Sequence, residues 1–384
     1  MGSLETEKKT SLIRNILWAI LLVIALARGI STGHWKAFIF LAILFVISKG
    51  TLLIGQYKLR KATKHLVEES LAARGLPEYI PEPSIIDAMQ KKTAAIIEEI
   101  NRLHPPKQCL RFAIDHNRKP SVFESKLGGM PYWDNTQPYP TDANGKPMAM
   151  VMQVNFGDMP HLDPLPQEGI LQYFISADEN IIAEGYGVDF DNPVSQTNFR
   201  VVYHKVVDKG ADISLLGQYP RIETIEGSPV MDEFALCVRQ SESCINQSDF
   251  DFEDAAAQAV RNLYGEEMGT SYVADYVKKI LPEEKREQTT DELALGDNTM
   301  FQAVSEENFQ MLGYPAFEQY DEVGSQFDTL LLQIPTIDAT DDTIDDYQYD
   351  TIWGDCGSMR LFINSDNLRR LDFSSEVLCV FQCY

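Results

Sequence analysis

Three short motifs occur twice in this chain, in the same order. Gly128-Gly129-Met130-Pro131 is echoed by Leu312-Gly313-Tyr314-Pro315, Met150–Val154 by Leu330–Ile334, and Gly169–Ile175 by Gly357–Ile363. Three matches in one order are the mark of an internal duplication. Each copy alternates β-rich runs with Gly- and Pro-rich turns, which is the pattern of hairpin-connected strands. The expectation is an α+β fold of internally duplicated antiparallel β-sheet units with flanking helices. Repeat 1 spans about 107–206, a helical insert about 249–297, and repeat 2 about 300–384. Gln153 should then correspond to Gln333, and Phe174 to Phe362. Strand periodicity puts Met150, Met152 and Val154 on one face, and likewise Leu330, Leu332 and Ile334.

The first 65 residues differ from the rest. They hold ten Lys/Arg against two Glu, whereas the remainder holds 23 Lys/Arg against 55 Asp/Glu, a net charge of −32 within an overall −24. The two apolar runs Asn15–Ala27 and Trp35–Ile54 read as two N-terminal transmembrane helices within 12–56, a hairpin turning at Gly29–His34. Lys8, Lys9 and Arg14 precede it, and Lys58, Arg60, Lys61 and Lys64 follow it. By the positive-inside rule both ends, and with them the acidic body, belong in the cytoplasm. The expected location is the inner membrane, multi-pass. Two alternatives remain open. One is a cleaved signal peptide with Ala25-Leu26-Ala27 as its cleavage site. The other is a hairpin lying in the interface without crossing it. The domain scheme is therefore a membrane hairpin over 1–65, a helix and Pro-rich linker over 66–83, and an α+β domain over 84–384. Ser84 with Asp87 resembles a capping box. Ile85, Met89, Ile96, Ile97, Ile100 and Leu103 form a helical stripe expected to pack on a sheet, ending at Pro105-Pro106. Glu283–Asp297 is charged and expected to be loose.

The motifs resemble those of the YwqG-like family, a bacterial domain of unknown function. The matching pieces are Gly128–Tyr132, Met152–Phe156, Leu165–Phe174, Met311–Pro315, Leu330–Ile334 and Trp353–Gly357, and the resemblance covers roughly Ser84–Tyr384. It implies a duplicated α+β fold with antiparallel sheets. It implies no activity. It also implies a neighbourhood of toxin–immunity systems. The apolar N-terminus and the long insert depart from the pattern.

Catalytic signatures are absent from the sequence: there is no G-x-S-x-G elbow, P-loop, dinucleotide fingerprint or H-E-x-x-H. The six histidines lack metal-ligand spacing, and His204 reads as a strand-edge residue. Cys356, between Asp355 and Gly357, is the one candidate nucleophile by setting. The six cysteines lack a C-x-x-C pair and read as reduced thiols, with Cys379 and Cys383 sharing a strand face. The densest chemistry lies in Asp338–Asp355, with seven aspartates in eighteen residues. An EF-hand fails because Thr343 takes the glycine position and Tyr349 the terminal glutamate. An irregular Ca²⁺ site, a solvated loop and a docking surface are the open readings. Candidate binding residues are Asp341, Asp342, Asp345, Asp346, Tyr347, Tyr349, Trp353 and Asp355, together with Tyr132 and Trp133 after the Gly-Gly turn. No metal or cofactor is expected. The acidic body excludes nucleic acid as a partner, because phosphate contacts need clustered cations.

Two functions follow. The first is a membrane-anchored protein-binding module: the lipid bilayer holds the hairpin, and the acidic domain captures a basic protein partner, a toxin in the immunity version. The second is a small-ligand-binding protein or hydrolase using a cleft between the repeats.

Overall fold

The structure is a computed structural model, and it describes residues 79–134, 137–249, 251–296, 298–301, 308–319, 323–339 and 349–383. The chain divides into two units, 1–80 with 287–289, and 81–286 with 290–384. All the elements named below belong to the second. Among the described residues no helix is long and apolar enough to cross a membrane. The apolar runs within 12–56 lie outside the described residues.

The protein is α+β, dominated by a large, nearly closed antiparallel sheet. Its strands are β1 (Lys107–Asp115), β2 (Lys126–Leu127), β3 (Ala149–Asn155), β4 (Ile170–Ile175), β5 (Phe199–His204), β6 (Phe234–Ser243), β7 (Gln310–Leu312), β8 (Thr329–Pro335), β11 (Ser358–Ile363) and β12 (Val377–Gln382). A separate ribbon pairs β9 (Ile337–Asp338) with β10 (Tyr349–Thr351). The ten-stranded order is β12-β11-β8-β7-β1-β6-β2-β3-β4-β5.

That order reads identically outward from its centre. On one side of the β1·β6 pair lie β2, β3, β4 and β5, and on the other lie β7, β8, β11 and β12. The first strand of each half is exchanged. β1 leads into the first repeat yet pairs with β7 of the second, while β6 leads into the second repeat and pairs with β2 of the first. The β1·β6 pairing runs from Lys107 opposite Ser243 to Asp115 opposite Ala235. The two halves are thus sewn together by main-chain hydrogen bonds of high sequence separation.

The outer strands curve back toward each other. Val201 of β5 and Cys379 of β12 enter one core with Leu110, Val154, Leu236, Met311 and Leu361. The Tyr173 hydroxyl reaches the Cys379 sulfur at 3.7 Å, and the Cys379 N–H donates to Pro193 O at 2.9 Å. Burial pushes the Cys379 thiol up to about 12, so this cysteine is a packing residue; Cys383 is half-buried.

The matched motifs occupy corresponding places. Gln153 pairs with Gln172 across β3·β4, and Gln333 with Arg360 across β8·β11. Phe174 sits opposite Met150, and Phe362 opposite Leu330. Both pairings slip at the same point, at Val151 in one half and Leu331 in the other. This shared bulge corrects the expected face. One extra residue reverses the alternation, so Met152 and Val154 face the main core while Met150 turns to a cluster with Trp133 and Phe174. Leu332 and Ile334 likewise face the core, and Leu330 joins Phe317 and Phe362. Gly169 and Gly357 are required by close approach. A Cβ at Gly169 would meet His204 O at 2.5 Å, and one at Gly357 would meet Gln382 O at 2.0 Å.

Helix α1 (Pro83–Leu103) starts two residues before Ser84 could cap it, with Pro83 in the first turn and Glu82 as N-cap. Proline there sacrifices no hydrogen bond and has the φ the turn needs. Its stripe buries Met89, Thr93, Ile96 and Ile100, but against helices rather than the sheet. The partners, from between β6 and β7, are α3 (Phe252–Tyr264), α4 (Val273–Val277) and α6 (Asp291–Leu295); the short α2 (Glu179–Ala183) belongs to the first half. Small residues on α3, namely Ala255, Ala256 and Ala259, allow the close approach, and Thr93 Oγ1 donates to Ala294 O at 2.7 Å. Residues 283–295, expected to be loose, carry α5 (Glu283–Arg286) and α6, the latter capped by Thr290. Helix α7 (Ser365–Arg369) follows β11 as α2 follows β4.

Candidate functional site

The Gly-Gly turn at the end of β2 uses left-handed backbone, with φ of 62° at Gly128 and 72° at Gly129. Leu312 and Gly313 adopt the same shape, at 61° and 81°. Beyond each turn the chain is pinned by side chains of the sheet. The Tyr132 N–H donates to Gln153 Oε1 at 2.9 Å, and the Ala316 N–H to Gln333 Oε1 at 3.1 Å. The Tyr132 carbonyl accepts from Gln172 at 2.8 Å, and the Ala316 carbonyl from Arg360 Nε at 2.6 Å. His204 then meets Gln172 Oε1 at 3.0 Å, where Arg360 meets Gln382 Oε1 at 3.4 Å. The Tyr132 hydroxyl donates to Asp134 at 3.0 Å, and Arg360 forms a fully buried ion pair with Glu318.

The two versions solve one packing problem with different chemistry. In the second half the Arg360 guanidinium lies over the Phe317 ring, 4.8 Å from its centroid. In the first, Trp133 and Tyr132 meet the His204 ring edge-on at 4.8 and 5.1 Å. Tyr132 and Trp133 are buried within this cluster rather than lining an open cleft. Gln153 Oε1 is committed to the Tyr132 N–H, so the Gln172 amide must donate to it and turn its own oxygen to His204. That network assigns an imidazole proton to Nε2. Burial drives the His204 pKa down to about 4, opposed only by Asp134. His204, read as an edge residue, is the keystone of this turn.

A second cluster clamps the same turn from outside. Lys126 is fully buried, its Nζ 3.4 Å from Glu233 Oε1, and burial lowers its pKa. Glu223 accepts from the Gly129 N–H at 3.0 Å and from Arg221, which also lies 3.8 Å from Glu233. No sequence signal marks these four residues as a group, since they are brought together by β2 and the loop before β6.

The acidic stretch is placed in part. Asp341, Asp342, Asp345, Asp346 and Tyr347 lie outside the described residues. At its edges, Asp338 on β9 is exposed and faces Tyr349 across the ribbon. The root of the ribbon is tied to the body. Met231 N–H donates to Asp350 O at 3.0 Å, Ile352 N–H to Pro229 O at 2.9 Å, and Thr351 Oγ1 to Pro335 O at 2.7 Å. Asp355 is exposed in the turn that follows, beside Cys356. The Cys356 sulfur lies 3.7 Å from the Tyr349 hydroxyl. Trp353 was expected among the contact residues. It is instead fully buried in the main core, its ring 5.0 Å from Tyr186, and an aromatic held there offers nothing to a partner.

Two residues emerge that the sequence did not single out. Asp350, one of the seven aspartates, is buried rather than displayed, and His116 at the end of β1 lies 3.0 Å from its Oδ2. Burial raises the Asp350 pKa against the pull of His116. Among the described residues no group of three or more His, Cys, Asp or Glu is arranged to hold a metal ion.

The chain belongs to the DUF1963 family, a domain of unknown function, whose model matches residues 125–383. The match begins at Ser125, so β1 completes the centre of the sheet from outside the matched span. A search of curated proteins matches nothing.

Proposed function

We propose that this protein is a membrane-tethered binding module whose acidic segment captures a basic protein at the cytoplasmic face of the inner membrane. The observation that carries the reading is the mounting of the segment. Its two ends pair as the β9–β10 ribbon, apart from the main sheet, and β10 is hydrogen-bonded to the body at Met231 and Ile352. A segment so charged, whose ends are fixed on a rigid base, suits capture of a cationic surface by long-range attraction. The tether rests on the apolar runs and basic flanks of the first 65 residues. The YwqG-like character of the motifs, within the wider family, supports an immunity-type role in which the partner is a basic toxin.

The test uses a basic partner recovered from native membranes by pull-down, followed by association kinetics at low and high salt. Changing Asp341, Asp342, Asp345 and Asp346 to Asn should leave folding intact, because repulsion of roughly 1 kcal/mol per close pair in water is relieved. Association at low salt should slow by about tenfold or more, and its salt dependence should weaken. Unchanged kinetics at both salt concentrations would remove the acidic segment from the interface.

A further inference from the structure

We propose that Arg111 and Arg239 form a site for hydrogen phosphate on the outer face of the central strand pair. Leu110, Phe112 and Leu236 enter the main core, and side chains alternate along a strand, so the residues between them face outward. On that face Arg111 of β1 stands directly opposite Arg239 of β6, flanked by Cys109 opposite Ser241 and by Ala113 opposite Cys237. Arg239, Ala113 and Cys237 are exposed, and Arg111 is half-buried. Among the described residues neither guanidinium meets a carboxylate: Arg111 Nη2 donates to Glu242 O at 3.3 Å, and Arg239 Nη1 to Ser241 Oγ at 3.4 Å. Arg111 Nη1 is enclosed and donates to nothing. The Glu242 carboxylate belongs to the opposite face of the pair, where it accepts from Gln108 at 2.9 Å.

The duplication supplies an internal comparison. Lys126 of β2 pairs with Ala235 as Gln310 of β7 pairs with Arg111. Ala235 therefore corresponds to Arg111, and Asp115, opposite Ala235, corresponds to Arg239. In the first half the charges at these positions are met within the chain, Asp115 by Arg118 at 3.2 Å and Lys126 by Glu233 at 3.4 Å. In the second half two like charges stand face to face, which is destabilising by itself; an anion held between them turns that repulsion into attraction. Gln310 adds a contact of the other kind. It is fully buried, its amide nitrogen is committed to the Leu312 and Tyr314 carbonyls at 3.0 and 2.8 Å, and its Oε1 accepts nothing. Guanidinium forks grip oxyanions bidentately. Two of them suit a dianion, because a carboxylate leaves one cation unmet. The lone acceptor beside them suits an anion that keeps a hydroxyl. Hydrogen phosphate supplies both, with three oxygens for the arginines and one hydroxyl for Gln310. Sulfate and the dianions of phosphate esters lack the hydroxyl.

The experiment is calorimetric titration of the free full-length protein with inorganic phosphate at about pH 8, where the dianion dominates. Binding should saturate with a Kd on the order of 1 mM. Arg239→Gln should weaken it by about tenfold or more. Arg370→Gln, which removes an equal charge from an exposed arginine bonded to Asn367, should leave it unchanged. Sulfate, methyl phosphate and acetate should each bind several-fold more weakly than phosphate. In phosphate-free buffer Arg239→Gln should be at least as stable as the wild type, because the repulsion between the two arginines is relieved. Absence of saturable binding to the wild type would overturn the site, as would equal affinity in Arg239→Gln. A variant much less stable than the wild type without phosphate would make the pair a structural one and overturn it too. Methyl phosphate or acetate binding as tightly as phosphate would overturn the assignment to hydrogen phosphate. No protein partner is present, so this result and the Asp→Asn binding result stand or fall separately.

Discussion

Arg360→Leu should lower the unfolding free energy by about 3–5 kcal/mol, the usual cost of removing one partner from a buried ion pair. Both side chains of the Arg360–Glu318 pair are fully inaccessible to solvent. The guanidinium also donates to Ala316 O, contacts Gln382 and covers the Phe317 ring. With leucine there, Glu318 keeps a hydrogen bond from Ser358 but loses its cation. The double variant Arg360→Leu, Glu318→Leu should recover much of the loss, because no isolated charge is left in the core. Recovery stops short of complete, since the Ala316 carbonyl still loses its donor, worth about 1–3 kcal/mol when buried. Urea unfolding of the single and double variants measures both effects. A single variant within about 1 kcal/mol of wild type would show that the pair does not hold this turn.

The corresponding turn in the first half should make stability depend on pH. His204 titrates near 4 in the folded chain against an ordinary 6.5, because burial disfavours its charged form. The unfolded chain therefore takes up a proton first as pH falls. The contribution of His204 is complete above pH 6.5 and is lost on the way down through pH 4, about 3 kcal/mol in all. Glutamine stands at the equivalent place in the second half, as Gln382, so His204→Gln should fold. The difference in stability between wild type and variant, followed from pH 7 to pH 4, isolates this residue from the carboxylates that titrate in both. A constant difference across that range would mean that the folded chain accepts the proton freely.

Much of the architecture was legible because its signals are local. Gly128-Gly129 and Leu312-Gly313 mark matching left-handed turns, and Gln153 and Gln333 follow them in the same order within matching β-rich runs, so the correspondence of the halves could be read directly. The strand exchange could not. β1 and β6 fall outside the repeated motifs, and nothing in Lys107–Asp115 indicates that its partners lie in β6 and β7. The bulges at Val151 and Leu331 were hidden for a related reason, since an alternating run looks the same whether or not one residue is skipped. Trp353 beside aspartates suggested an interface, yet its contact with Tyr186, far away in the chain, decides for the core. His116 and Asp350 likewise carry no shared motif; the meeting of β1, β6 and β10 brings them together. The stripe of α1 was read correctly as a buried face, but periodicity does not say what covers it. Alanines on α3 do.

The central claim is that the ribbon rooted at β9 and β10 is where a basic partner is held. Hydrogen exchange of the full-length protein, with and without that partner, tests it most directly. Binding should slow exchange at Asp338 and at Tyr349–Thr351, and leave α1 and the turn around Tyr132 and Trp133 unchanged. Protection confined to α1, or to the Tyr132–Trp133 turn, with none in the ribbon, would contradict it.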